Sequence, residues 1–166
     1  MLKTLLVLAL IGGTAVADDF TRVVDAVTSG DSRSAAVRRH AGEALAALGA
    51  RPASGTPDLA KLWGAGAPPA YRDRALGPAY RIIAVVPGGS ARFDQVFLAG
   101  QRARVAVVAH GTAPARVAVT DDDGLQQCGP SDPVGHCDWV PLWTTRFRIE
   151  LQNPGIRAAS YTVVVQ

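Results

Sequence analysis

Two cysteines, three histidines and a run of three aspartates are the residues of this 166-residue chain best suited to chemistry. Cys128 and Cys137 bracket a loop with two prolines and two glycines. A cysteine pair at this spacing fits a disulfide, worth about 2.5–3 kcal/mol on the chain-entropy account. The competing zinc site of Cys128, His136 and Cys137 lacks a fourth ligand and puts two ligands on neighbouring residues. Asp121, Asp122 and Asp123 precede Gly124, so they read either as a hairpin turn or as a calcium loop. Their consecutive placement lacks the spaced carboxylates of an established calcium motif, which favours the turn.

Covalent catalysis needs a nucleophile, a base within hydrogen-bond reach and a group that orients the base. His40, His110 and His136 lie far apart in the chain, and no G-x-S-x-G, H-E-x-x-H or phosphate loop is present. Glu43 and Glu150 are the only glutamates and fall in different segments. The expectation is therefore a non-enzyme with no cofactor, and a hydrolase site assembled only in space is the outlying alternative. Trp139 and Trp143 flank Pro141, with Arg146 and Arg148 just beyond. One tryptophan is expected to fill a core and the other to face water, where with the arginines it could stack on a sugar ring or hold a peptide. The plainer reading makes Arg146 and Arg148 solvated residues of a strand face.

These residues must be carried by something, and the chain divides into four stretches. Lys3, the apolar run from Leu5 to Ile11, and Ala15-Val16-Ala17 before Asp18 form a secretory signal with an A-x-A site. The apolar run is shorter than the roughly 20 residues of a membrane-spanning helix, so no integral segment is expected after cleavage. Cleavage after Ala17 leaves residues 18–166, places the protein in the periplasm or medium, and suits a disulfide. Losing Lys3 lowers the formal charge from +3 to +2, with 15 arginines and Lys61 as the remaining cations. They are scattered among acids rather than gathered in a basic stripe, which argues against nucleic acid.

Residues 18–48 read as a helical hairpin. Phe20, Val23, Val24 and Val27 share one helical face, as do Val37, Ala41, Leu45 and Leu48. Asp31 or Ser32 is placed to cap the second helix and Gly49 to end it. Residues 49–77 are rich in Pro and Gly and read as a linker, with a helical turn capped by Thr56 and anchors at Trp63, Tyr71 and Tyr80. From residue 78 the period becomes two, most clearly at Arg146 to Gln152, where Phe147, Ile149 and Leu151 face one way. Seven or eight short strands between turn signals in 78–166 predict an antiparallel β-sandwich.

The order of Tyr80, Gly88-Gly89, Phe93, Phe97-Leu98-Ala99-Gly100, Val105, Val107, Val117, Val119, Asp121 to Gly124, Trp139, Pro141, Phe147, Ile149, Asn153, Gly155 and Tyr161 resembles the bacterial pre-peptidase C-terminal domain. The resemblance implies a jelly-roll-like β-sandwich of the kind attached to secreted peptidases. Some members bind collagen or polysaccharide, and some bind calcium through acidic residues. Thr112 to Arg116 stands here where many relatives carry an Asp-rich strand, which weighs against calcium. The expected function is exported, non-catalytic binding or scaffolding, with envelope polysaccharide or another exported protein as partner. A structural module docking in an envelope complex is the alternative.

Overall fold

The computed structural model describes residues 17–66, 77–129 and 135–166. The signal run before Ala17, the linker stretch 67–76 with Tyr71, and 130–134 of the cysteine loop lie outside the described residues.

Helix α1 (Asp19–Gly30) starts at Asp18, whose carboxylate accepts from the Thr21 N–H at 3.0 Å. It runs through Thr28 and Ser29 to Gly30, with the Thr28 hydroxyl donating to the Val24 carbonyl within the helix at 2.8 Å. Helix α2 (Ala35–Ala47) is capped by Ser34, not by Asp31 or Ser32. Ser32 instead takes the Ser34 N–H, and Asp31 is the C-cap of α1. Gly49 ends α2 as expected, in a left-handed conformation at φ 65° that lets Ala50 N–H reach the Leu45 carbonyl.

The stretch expected as a linker is structured among its described residues. It holds β1 (Arg51–Pro52) and α3 (Leu59–Leu62). Asp58, not Thr56, caps α3, and the buried Tyr80 hydroxyl accepts from the Leu59 N–H at 2.8 Å. Burial pushes the Tyr80 hydroxyl pKa up.

Eight strands follow: β2 (Ala79–Val85), β3 (Ser90–Phe97), β4 (Ala103–Ala109), β5 (Arg116–Asp121), β6 (Gln126–Cys128), β7 (His136–Trp139), β8 (Thr145–Gln152) and β9 (Ala159–Val165). They form one sheet ordered β1-β2-β9-β4-β7 and another ordered β3-β8-β5-β6. The two-residue β1 pairs in parallel with β2; the other pairings are antiparallel. From β2 onward the chain switches sheets at every strand except the β5–β6 hairpin, in jelly-roll order, the sandwich that the period-two pattern predicts.

Between the sheets, Val105, Val119, Ile149, Leu151, Tyr161 and Val163 form the main core. A second core lies on the outer face of the five-stranded sheet, where Phe20, Val23, Val27 and Leu45 pack on Tyr80, Ala106, Val108 and Val164. The helical hairpin thus docks on the sandwich of its own chain. Arg104 secures the helix start: its guanidinium lies 4.5 Å over the Phe20 ring and bonds the Asp18 carboxylate and the Gln166 amide. Asn153, fully buried, donates to the carbonyls of Val85 and Arg157 and accepts from Gly155 N–H. It latches two turns at one end of the sandwich.

Candidate functional site

Cys128 on β6 and Cys137 on β7 form the disulfide, with Cα atoms 5.9 Å apart, and so join the two sheets at one edge. With both sulfurs committed, the zinc alternative has no thiolates. Among the described residues, no three His, Cys, Asp or Glu side chains are placed to hold a metal.

The Asp121–Asp123 run is the turn between β5 and β6. Asp121 Oδ1 accepts from the N–H groups of Asp123 and Leu125 at 3.1 and 2.8 Å. Gly124 supplies the positive φ of 82°. Asp122 accepts from the Thr145 hydroxyl at 3.1 Å, which ties this turn to the start of β8. Asp121 and Asp122 are thus occupied by N–H and O–H donors of the chain itself.

An acid, an imidazole and a hydroxyl do converge in space, though the sequence gives no motif for them. His110 Nδ1 lies 3.2 Å from Asp31 Oδ1, and its Nε2 lies 2.8 Å from Thr162 Oγ1. Asp31 Oδ2 also accepts from Gly111 N–H at 2.8 Å. A nucleophile must reach its substrate, and Thr162 is 0% exposed beneath the helix layer. This arrangement pins the end of α1 to β4 and β9 and offers no carbonyl a path to the hydroxyl.

The four residues singled out as ligand candidates part company. Trp139 is buried against Phe97 and Phe147, with ring centroids at 4.9 and 5.3 Å. Trp143 is 78% exposed. Arg148 pairs with Asp94 at 3.5 Å on the outer face of the four-stranded sheet, whereas exposed Arg146 stands opposite Val96 with no ion pair among the described residues. Trp143 has apolar company that the sequence reading missed, namely Leu142, Val140 and Leu98, all exposed.

Two loops present this patch. Gly100 N–H donates to the Pro141 carbonyl at 2.8 Å and Ala99 N–H to the Thr144 hydroxyl at 3.0 Å, fastening turn 98–101 to segment 140–144. The buried Phe97, Trp139 and Phe147 cluster supports it from below. The sequence signal was the apolar run Val140-Pro141-Leu142-Trp143, whose proline removes a ladder donor just past β7. Arg102 Nε reaches Asp138 at 2.9 Å beside the patch and holds that carboxyl below its usual pKa.

No family model and no curated protein matches the chain. Solved structures are similar to it over about half its length. A periplasmic lysozyme inhibitor of g-type lysozyme from Aeromonas hydrophila is 16% identical, covering 54% of this chain and 86% of its own at a TM-score of 0.42. The pre-peptidase C-terminal domain of a Bacillus anthracis collagenase is 5% identical, covering 52% and 87% at 0.44. A Yersinia pseudotuberculosis-derived mitogen is 9% identical, covering 54% and 85% at 0.45.

Proposed function

We propose that this is an exported, non-catalytic binding protein that holds a partner protein through the tip formed by Leu98, Val140, Leu142 and Trp143. The exposed tip carries the reading. Leu142 is 83% and Trp143 78% exposed on a tip anchored by backbone hydrogen bonds and an aromatic cluster. Large apolar side chains left exposed on two fastened loops are costly to leave in water without a use, and tryptophan and arginine are enriched among the residues that carry contact energy at protein interfaces. Neighbouring Arg146 adds a cation free to pair across such a contact. The leucines and valine around the indole favour a protein over a polysaccharide, since sugars need polar groups beside a stacking ring.

Export rests on the signal at residues 1–17, with cleavage after Ala17, and the disulfide supports an oxidising compartment. Cleavage there makes Asp18, the cap of α1, the first residue. Intact-mass measurement of the exported protein should find a chain starting at Asp18.

A photo-crosslinking residue at position 143, in the exported protein in its native envelope, tests the tip. The expected result is a discrete protein adduct that Leu142→Ser removes and that a crosslinker at exposed Leu62, on α3, does not give. Absence of an adduct together with retention on a glycan array would overturn the protein-partner reading. Trp143→Ala should weaken the contact at least tenfold while changing stability by less than about 0.5 kcal/mol.

A further inference from the structure

The two side edges of the sandwich differ in how they are finished. On one side the edge strands β6 and β7 are three and four residues long, β6 is bulged against β5, and a disulfide joins them. On the other side β3 runs eight residues in unbroken register with β8, and among the described residues no strand lies beyond it. It has no proline and no bulge, the devices that commonly blunt an exposed edge. Its charges are neutralised from within: Arg92 Nε bonds Glu150 at 3.0 Å, and Asp94 pairs with Arg148.

The hydrogen-bond phase of this edge is fixed. Asn153 N–H donates to the Gly89 carbonyl, and counting along the same register points the backbone groups of 91, 93, 95 and 97 at β8. Those of Ser90, Arg92, Asp94 and Val96 therefore point away from the sheet. The Val96 carbonyl accepts only a side-chain amide, from Gln95 at 3.1 Å.

The opposing sheet has five strands against four, and its extra strand β1 lies on this same side. Ala53, just past β1, lines a small gap with Arg81, Phe93 and Gln95. Next to it a cavity of about 230 Å³ is walled by Arg51, Gln95, Val96, Phe97, Leu98 and Arg102. Among the described residues, no Asp or Glu side chain lines either space. Arg51, Arg81 and Arg146 border the edge without an ion pair to any described residue, Arg81 lying 4.7 Å over the Phe93 ring.

We propose that the β3 edge takes an extended, acidic segment of a partner polypeptide as a fifth strand of the second sheet. Backbone groups of Ser90, Arg92, Asp94 and Val96 supply the ladder, the cavity under β1 receives an inward side chain, and Arg51, Arg81 and Arg146 select carboxylates. The proposal rests on the reading of a partner-binding protein and shares Leu98 and Arg146 with the tip but not Trp143, so Trp143→Ala leaves it intact.

The test uses the full mature chain and a blocked decapeptide alternating Val with Glu. Saturable binding is expected, with new amide protection at Arg92, Asp94 and Val96. Val96→Pro removes an outward N–H without touching the β8 ladder and should weaken binding at least tenfold. Replacing Glu by Lys in the peptide should do the same, and R51E/R146E, which changes only exposed charges, should invert that preference. No saturable binding at millimolar peptide, or equal affinity for the two peptides, would overturn the proposal. So would concentration-dependent self-association abolished by Val96→Pro, which assigns the edge to a second copy of the chain. Loss of the position-143 adduct in a protein that still binds the peptide would count against the tip alone.

Discussion

The five-stranded sheet hides its outer face under α1, whereas the four-stranded sheet leaves its outer face to water, and the strands carry the difference. Strand β9 is buried at every position from Tyr161 to Val165, while β8 alternates, burying Phe147, Ile149 and Leu151 and turning Arg146 and Arg148 outward. Covered strands become continuously apolar because both faces exclude water. Uncovered strands keep period two and spend the outer face on ion pairs such as Arg92–Glu150. The second core is thus confined to the helix side, while the edge proposed for a partner belongs to the other sheet.

The contrast breaks most severely where the helix layer is anchored. Phe20→Ala removes a fully buried ring from the second core and the platform for Arg104, and should lower unfolding free energy by about 3–5 kcal/mol. Chemical denaturation measures this, and the same protocol on Arg148→Ala, on the open face, should show a change within about 0.5 kcal/mol. Removing the disulfide by Cys128→Ser with Cys137→Ser should cost about 2.5–3 kcal/mol, since it frees the unfolded chain as well as the β6–β7 edge. Gly30→Ala puts a methyl into the Trp63 ring that packs there and should cost about 1–3 kcal/mol, read as a lowered melting temperature.

Acid acts more weakly than the core, disulfide and glycine changes. The Thr21 N–H and the Arg104 guanidinium hold the Asp18 carboxyl at about 2, below its usual 3.8. A carboxyl depressed on folding stabilises fully above its unfolded pKa and loses that contribution as pH falls through the folded one. The window thus runs from about pH 4 down to about pH 2. With the Asp18 side chain 45% exposed, solvent screening keeps the effect below about 1 kcal/mol. Asp18→Asn retains the cap and should flatten this part of the acid unfolding curve.

How far the sequence revealed the structure also follows the two faces. The alternation of β8 and the i, i+3, i+7 face of Phe20, Val23 and Val27 were legible, because each element shows water a distinct side. The β1–β2 contact was not, because its bonds run from Arg51 N–H to the Pro78 carbonyl and from Ala53 N–H to the Tyr80 carbonyl, and main-chain pairing of two residues leaves no side-chain period. Strands β6 and β7 were likewise too short to show one. At the tip, Trp143 was legible as a residue type. Its partner Leu98 was not, because long-range hydrogen bonds bring the 98–101 turn to the 140–144 segment. The Asp31–His110–Thr162 contact spans three segments and likewise depends on the α1 docking that only the fold supplies.

Residue-resolved amide exchange in the isolated mature protein tests the difference between the covered and open regions most directly. Val163 and Val164 on β9, with Ala91, Phe93 and Gln95 on β3, should exchange slowly, while Arg92, Asp94 and Val96 exchange at near-solvent rates. Uniform protection along β3, or rapid exchange in β9, would contradict the account.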